Sequence, residues 1–144
     1  MPQRLNDFGR VGLTRMYQTI TTTGDKVEGL VSVPDAGVTN VLEIVAQNYK
    51  NAFIEGRNED STNTSSWEIF GTRKFNDSVP ATGDTFWTTT EDHWESIDTQ
   101  AAVGTGTNIT PVELVDKGYT YLVVTVSGDT AATDTIARAI LTTY

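Results

Sequence analysis

The chain has 144 residues, no cysteine and a formal net charge of −9, with a pI near 4.4. That length suits one ordinary domain that buries its own core without staples, and the missing thiols exclude disulfide frameworks, thiol catalysis and thiolate metal sites. The acidic balance excludes sequence-independent nucleic-acid binding by the body of the domain.

Charge is unevenly spread. Residues 1–17 hold Arg4, Arg10 and Arg15 against Asp7, a net of +2, and the rest of the chain carries −11. The start, "MPQRLNDFGRVG", has no apolar signal core, and no stretch is long and apolar enough to span a membrane. The expectation is a soluble chain not routed by an ordinary signal, with a short basic arm over 1–15 ahead of an acidic body over 16–144. Threonine occurs 25 times, often beside Val, Ile, Tyr, Phe or Trp. Such β-branched, glycine-punctuated composition favours pleated sheet over helix.

In chain order, period-2 alternation recurs. "MYQTIT" (Met16–Thr21) and "VEGLVSV" (Val27–Val33) read as strands. "NVLEIVAQNY" (Asn40–Tyr49) is apolar on both faces, which predicts a central strand covered on each side. "GRNEDSTNTSS" (Gly56–Ser66) holds no large apolar residue and reads as an exposed, mobile loop. "SWEIFGTRKF" (Ser66–Phe75) puts Trp67, Ile69 and Gly71 on one face and Glu68, Phe70 and Thr72 on the other. "VGTGTN" (Val103–Asn108) lacks the flanks of a phosphate loop and reads as a plain loop. "TPVELVDKG" (Thr110–Gly118) has an N-cap threonine, Pro111 at the first helical position and a capping-box Glu113, which predict one helical turn. "YTYLVVTVS" (Tyr119–Ser127) is a clear strand, and "DTIARAILTTY" (Asp134–Tyr144) closes the chain as another. Gly-Asp pairs at 24–25, 83–84 and 128–129 mark turns. Together these predict a single-domain, all-β antiparallel sandwich, jelly-roll-like, behind an N-terminal arm.

The densest candidate chemistry is "ATGDTFWTTTEDHWESIDTQ" (Ala81–Gln100), with Trp87, Trp94, the lone His93 and five carboxylates. One histidine rules out His-rich metal sites, and no serine stands in a nucleophile elbow. Glu91, Asp92, Glu95 and Asp98 remain compatible with a glycosidase carboxylate pair, although acidic runs are usually solvated faces. If Thr85–Thr89 pairs with Trp94–Asp98, then Trp87 and Trp94 become diagonal neighbours on one face. Three covers compete for them: the core, an oligomer or partner interface, or a stacked sugar. No catalytic residue, cofactor or metal is expected.

The arm "MPQRLNDFGRVGLTR" before a Thr/Gly/Asp-rich acidic body, with "SWEIFGTRKFND" and "DKGYTYLVVTVSGDT", resembles the capsid decoration or cement proteins of tailed bacteriophages. The resemblance implies a non-enzymatic virion structural protein on the capsid exterior, made in the host cytoplasm. It implies binding to the major capsid protein as a homo-oligomer, with a trimer favoured, and no nucleic-acid or membrane partner. Partner contacts would fall on Arg4, Phe8, Arg10, Trp87 and Trp94. The alternative is a carbohydrate- or receptor-binding module of a tail or fibre.

Overall fold

The computed structural model describes residues 15–18, 31–33, 38–47, 49–74 and 93–142. Within them lie nine strands: β1 (Arg15–Gln18), β2 (Val31–Val33), β3 (Thr39–Val45), β4 (Asn51–Asn58), β5 (Ser65–Thr72), β6 (Glu95–Val103), β7 (Val112–Val115), β8 (Tyr121–Gly128) and β9 (Thr133–Thr142). All their pairings are antiparallel. One sheet runs β1-β9-β4-β7, with β2 also on β9, and the other runs β3-β8-β5-β6. The all-β expectation holds, and the chain forms two antiparallel sheets. The arm residues 1–14, the rest of the Val27–Val33 segment and the Thr85–Thr89 hairpin lie outside the described residues.

The pairing is nested. β2 pairs with β9, β3 with β8, β4 with β7 and β5 with β6, like one long ribbon folded back on itself. Cross-ribbon pairs β4–β9 and β5–β8 then close it into two layers. β9 is held by β4 along eight residues of one edge, and by β1 and β2 in succession on the other. Its alternating burial follows: Thr133, Thr135, Ala137, Ala139 and Leu141 face the core.

The core lies between the sheets. Ile54, Ala139 and Leu141 from one layer meet Trp67, Ile69, Leu122, Val124 and Val126 from the other, in one apolar cluster. Trp67 is 2 % exposed, and its indole N–H donates to Ser65 Oγ at 2.8 Å, so its polar edge is satisfied inside. The strand opposite makes room for the ring: a Cβ on Gly56 would stand 2.5 Å from Trp67 Cζ3. Small Ala137 sits beside Gly56 in register. Two bulky layers therefore close tightly at that one point.

Three expectations need correction. The segment Thr110–Gly118 forms strand β7 and no helical turn: Leu114 is buried, and Val112 packs on the core from the same side. Register with β4 (Ala52↔Leu114, Ile54↔Val112) outweighs the local capping signals, because tertiary packing overrides a weak helical preference. The segment Asn40–Tyr49 is a strand only over Thr39–Val45, and it ends its sheet order where a central strand was expected. Its double-sided burial has a local cause, since a bulge between Asn40 and Leu42 turns consecutive side chains inward. The doubly buried interior strand is β8, whose Leu122–Val126 are all buried.

Gly56–Ser66 is shorter as a loop than its polarity implied, with Gly56–Asn58 in β4 and Ser65–Ser66 in β5. Within it Asn58 is fully buried, donating Nδ2 to the carbonyls of Asn63 (2.9 Å) and Val103 (3.0 Å). Asp60 accepts from the backbone N–H of Thr62 (3.0 Å) and of Asn63 (2.7 Å), and those bonds hold its carboxyl below the usual range. The polar residues thus build a hydrogen-bonded turn. β4 itself gave no reading from sequence, although Ala52/Ile54/Gly56 and Phe53/Glu55/Arg57 do alternate.

Two backbone positions test this packing in opposite directions. Gly56→Ala should destabilise the fold by about 1–3 kcal/mol, because Trp67 is buried and cannot retreat. Ala102 sits at φ 53° in a bulge of β6, where a left-handed L-residue costs about 1–2 kcal/mol. Ala102→Gly should therefore leave stability unchanged or raise it. Urea midpoints of the two variants should move apart; a shared direction would refute one of the two accounts.

Candidate functional site

Of the residues singled out in the sequence, Arg4, Phe8, Arg10, Trp87, Glu91 and Asp92 lie outside the described residues. Trp94 is described and is 4 % exposed. It packs with Phe70 and Val123, and with half-buried Tyr121, as a second apolar cluster apart from the main core. Phe70 and Val123 are register partners with their side chains on the outer face of the β3-β8-β5-β6 sheet. Of the three covers weighed for the tryptophans, packing within this chain is the one Trp94 has. His93 stands in the turn that precedes it.

Of the acidic residues of the same stretch, Glu95 and Asp98 are described, and their partners differ. Asp98 accepts from Gln100 Nε2 at 2.7 Å. Glu95 joins a clasp. Its Oε1 accepts from the Tyr119 hydroxyl and from Arg73 Nη1 at 2.8 Å, while the Arg73 guanidinium lies 4.2 Å over the Tyr119 ring. Arg73 Nε also donates to the Lys117 carbonyl at 2.7 Å. Gly71 leaves space for this: a Cβ there would meet Tyr119 and Ile97 below 3 Å. The Tyr119 hydroxyl, with Arg73 assisting, holds the Glu95 carboxyl below its usual value, and burial together with Glu95 raises the Tyr119 phenol above its own. A phenol hydrogen-bonded to a carboxylate is a nucleophile-and-base pair in principle. A hollow lined in part by Tyr119 has a volume of ≈ 10 Å³, far too small for a substrate. The arrangement ties β5, β6 and the approach to β8 together.

An open concavity lies over β4 and β9. It has a volume of ≈ 360 Å³, with Ile109, Pro111 and Ile136 as its apolar part. Strand alternation places Glu55 and Arg57 on the outward side of β4, and register sets them opposite Arg138 and Ile136 of β9. Arg138 Nε donates to Glu55 Oε1 at 2.5 Å. Arg57 pairs through Nε with Glu59 at 3.0 Å and donates from Nη1 to Asn108 Oδ1 at 3.0 Å. These are exposed pairs that fix orientation more than they stabilise. The groove presents an apolar floor framed by two oriented guanidinium groups, an arrangement suited to gripping a partner's surface. No sequence pattern announced it, because Glu55 and Arg138 meet across 83 residues of chain.

Among the described residues no three His, Asp or Glu side chains gather as a metal site. In comparisons with known proteins, no family model matches the chain and no curated protein matches it.

The clasp has a pH signature. Because the folded pKa of Glu95 lies below its ordinary 4.5, its stabilisation is complete above that pH and is lost as pH falls through the folded value. Tyr119 adds the opposite limb: its pKa is raised above 10.0, so its share is complete below that pH and is lost as pH rises through the folded value. Urea midpoints at neutral and acid pH should fall further for the native chain than for Glu95→Gln. An equal fall in both would show that the clasp contributes nothing.

Proposed function

We propose that this chain is a jelly-roll protein that serves as a non-enzymatic virion structural component, a capsid decoration or cement protein. The observation that carries the reading is the nested strand pairing, β2–β9 around β3–β8 around β4–β7 around β5–β6, distributed over two four-membered layers with β1 added. A ribbon of that nesting wound across two sheets supports a jelly-roll reading, an architecture used by viral capsid and lectin domains among others. Fold alone does not assign function, so the site must add to it. Two features support it: the hollow found beside Tyr119 among the described residues is only ≈ 10 Å³, and the β4–β9 concavity is an open groove on paired strands.

In this reading the acidic body docks on the major capsid protein at the capsid exterior, as a homo-oligomer with a trimer favoured. Binding across several subunits stabilises the assembled lattice by mass action. The basic arm, with Arg4, Arg10 and Phe8, adds contacts that form on docking. A tail or fibre module that reads sugars through Trp87 and Trp94 has less support, because Trp94 is 4 % exposed.

The strand β1 begins at Arg15, so removing residues 1–14 leaves every described strand intact. The truncated chain should keep its fold and lose binding to undecorated particles, measured by co-sedimentation. Binding equal to that of the intact chain would refute the arm. Failure of the intact chain to co-purify with particles at high copy number would refute decoration itself.

A further inference from the structure

A second groove, of ≈ 310 Å³, lies on the outer face of the β3-β8-β5-β6 sheet. Register sets Thr99 of β6, Glu68 of β5 and Thr125 of β8 in one row across it, and Ser66 opposite Ser127 in the next. Its volume is at the lower end of the range of about 300–1,000 Å³ typical of small-molecule sites. Its hydrogen-bonding capacity is partly engaged in a definite way. Ser96 Oγ donates to Glu68 Oε2 at 2.6 Å, Thr125 Oγ1 donates to the Glu68 carbonyl at 2.9 Å, and Ser66 Oγ donates to Asp129 Oδ1 at 2.6 Å. The Gln100 amide is held by both backbone groups of Thr110 at 2.8 Å, which fixes the groove's rim.

Three groups remain without a partner among the described residues: Glu68 Oε1, Thr99 Oγ1 and Ser127 Oγ. Ser66 and Thr125 have donated their protons, and Ser66 Oγ also accepts from the Ala102 N–H at 3.4 Å, which leaves it one lone pair. The groove is therefore rich in acceptors, one of them charged, and no Lys or Arg is found among its described lining residues. An anion would meet Glu68 unfavourably. An uncharged ligand bearing several O–H donors would satisfy the carboxylate oxygen and both hydroxyls at once.

We propose that this groove binds a neutral saccharide, anchored by hydroxyl donation to Glu68 and by exchange of hydrogen bonds with Thr99 and Ser127. The site is separate from Trp87 and Trp94 and from the β4–β9 groove. It stands whether or not the chain docks on a capsid.

The test is an NMR titration of the ¹⁵N-labelled full chain with neutral trisaccharides of glucose, galactose, mannose and N-acetylglucosamine, each up to about 10 mM, the range of weak binding. At least one should give saturable shifts centred on the amides of Glu68, Thr99 and Ser127. Glu68→Gln retains an acceptor for Ser96 but removes the charge, and should weaken binding by about tenfold, as expected for a charge-assisted hydrogen bond. A Thr99→Val, Ser127→Ala double variant should weaken it without disturbing the spectrum elsewhere. The proposal is overturned if none of the four sugars gives saturable shifts, if shifts map to other residues, or if Glu68→Gln binds equally well. It is also overturned if the diamine putrescine shifts the same amides and no sugar does, since that would make the groove a cation site.

Discussion

The contact on which the two-layer structure depends is Trp67 over Gly56. A tryptophan buries a large ring, and packing one between two sheets about 10 Å apart requires a facing position without a side chain. Gly56 supplies it, with Ala137 alongside in register and Ser65 accepting the indole proton. Once the ring is seated, β4 and β5 are fixed relative to each other. Their further partners, β7 and β9 on one side and β6 and β8 on the other, follow from alternation of side chains along each strand.

The surface features follow from that inner arrangement. Because Trp67, Ile69 and Gly71 point inward, Glu68 and Phe70 must point outward, so one strand both closes the core and lays down the polar groove and the Trp94 cluster. Likewise the inward Ala52 and Ile54 of β4 oblige Glu55 and Arg57 to face out, where β9 presents Arg138 and Ile136 to them. A substitution that slipped β4 or β5 by one residue would exchange core and groove together. The shape of either groove is in that sense coupled to the registers that hold the core.

Much of the strand content was legible, and the reasons are specific. β5, β8 and β9 combine β-branched residues with alternation, and the structure has strands at all three. β4 escaped because small Ala52 and Gly56 leave Ile54 as the one large apolar residue on its inward face, with charged Glu55 and Arg57 on the other. The run "TPVELVDKG" misled because good capping residues flank only four residues of strand, Val112–Val115, whose inward Leu114 had a sheet edge to join. The candidate sites were less legible. Glu95 was noticed as a member of an acidic cluster, but its actual partners, Arg73 and Tyr119, are 22 and 24 residues distant in the chain.

By itself, the sequence determined that the chain is all-β, acidic and free of thiol chemistry. Those properties reside in residue type and short-range alternation, which act locally. The tertiary structure alone decided which strands are neighbours, which face of each is covered, and which charged groups meet. It seated Trp94 against Phe70, set Glu95 in a clasp with Arg73 and Tyr119, and left Glu68 with an unengaged oxygen in a groove. These outcomes depend on pairings between residues far apart in the chain, whose energies come from shape and register that no local window contains.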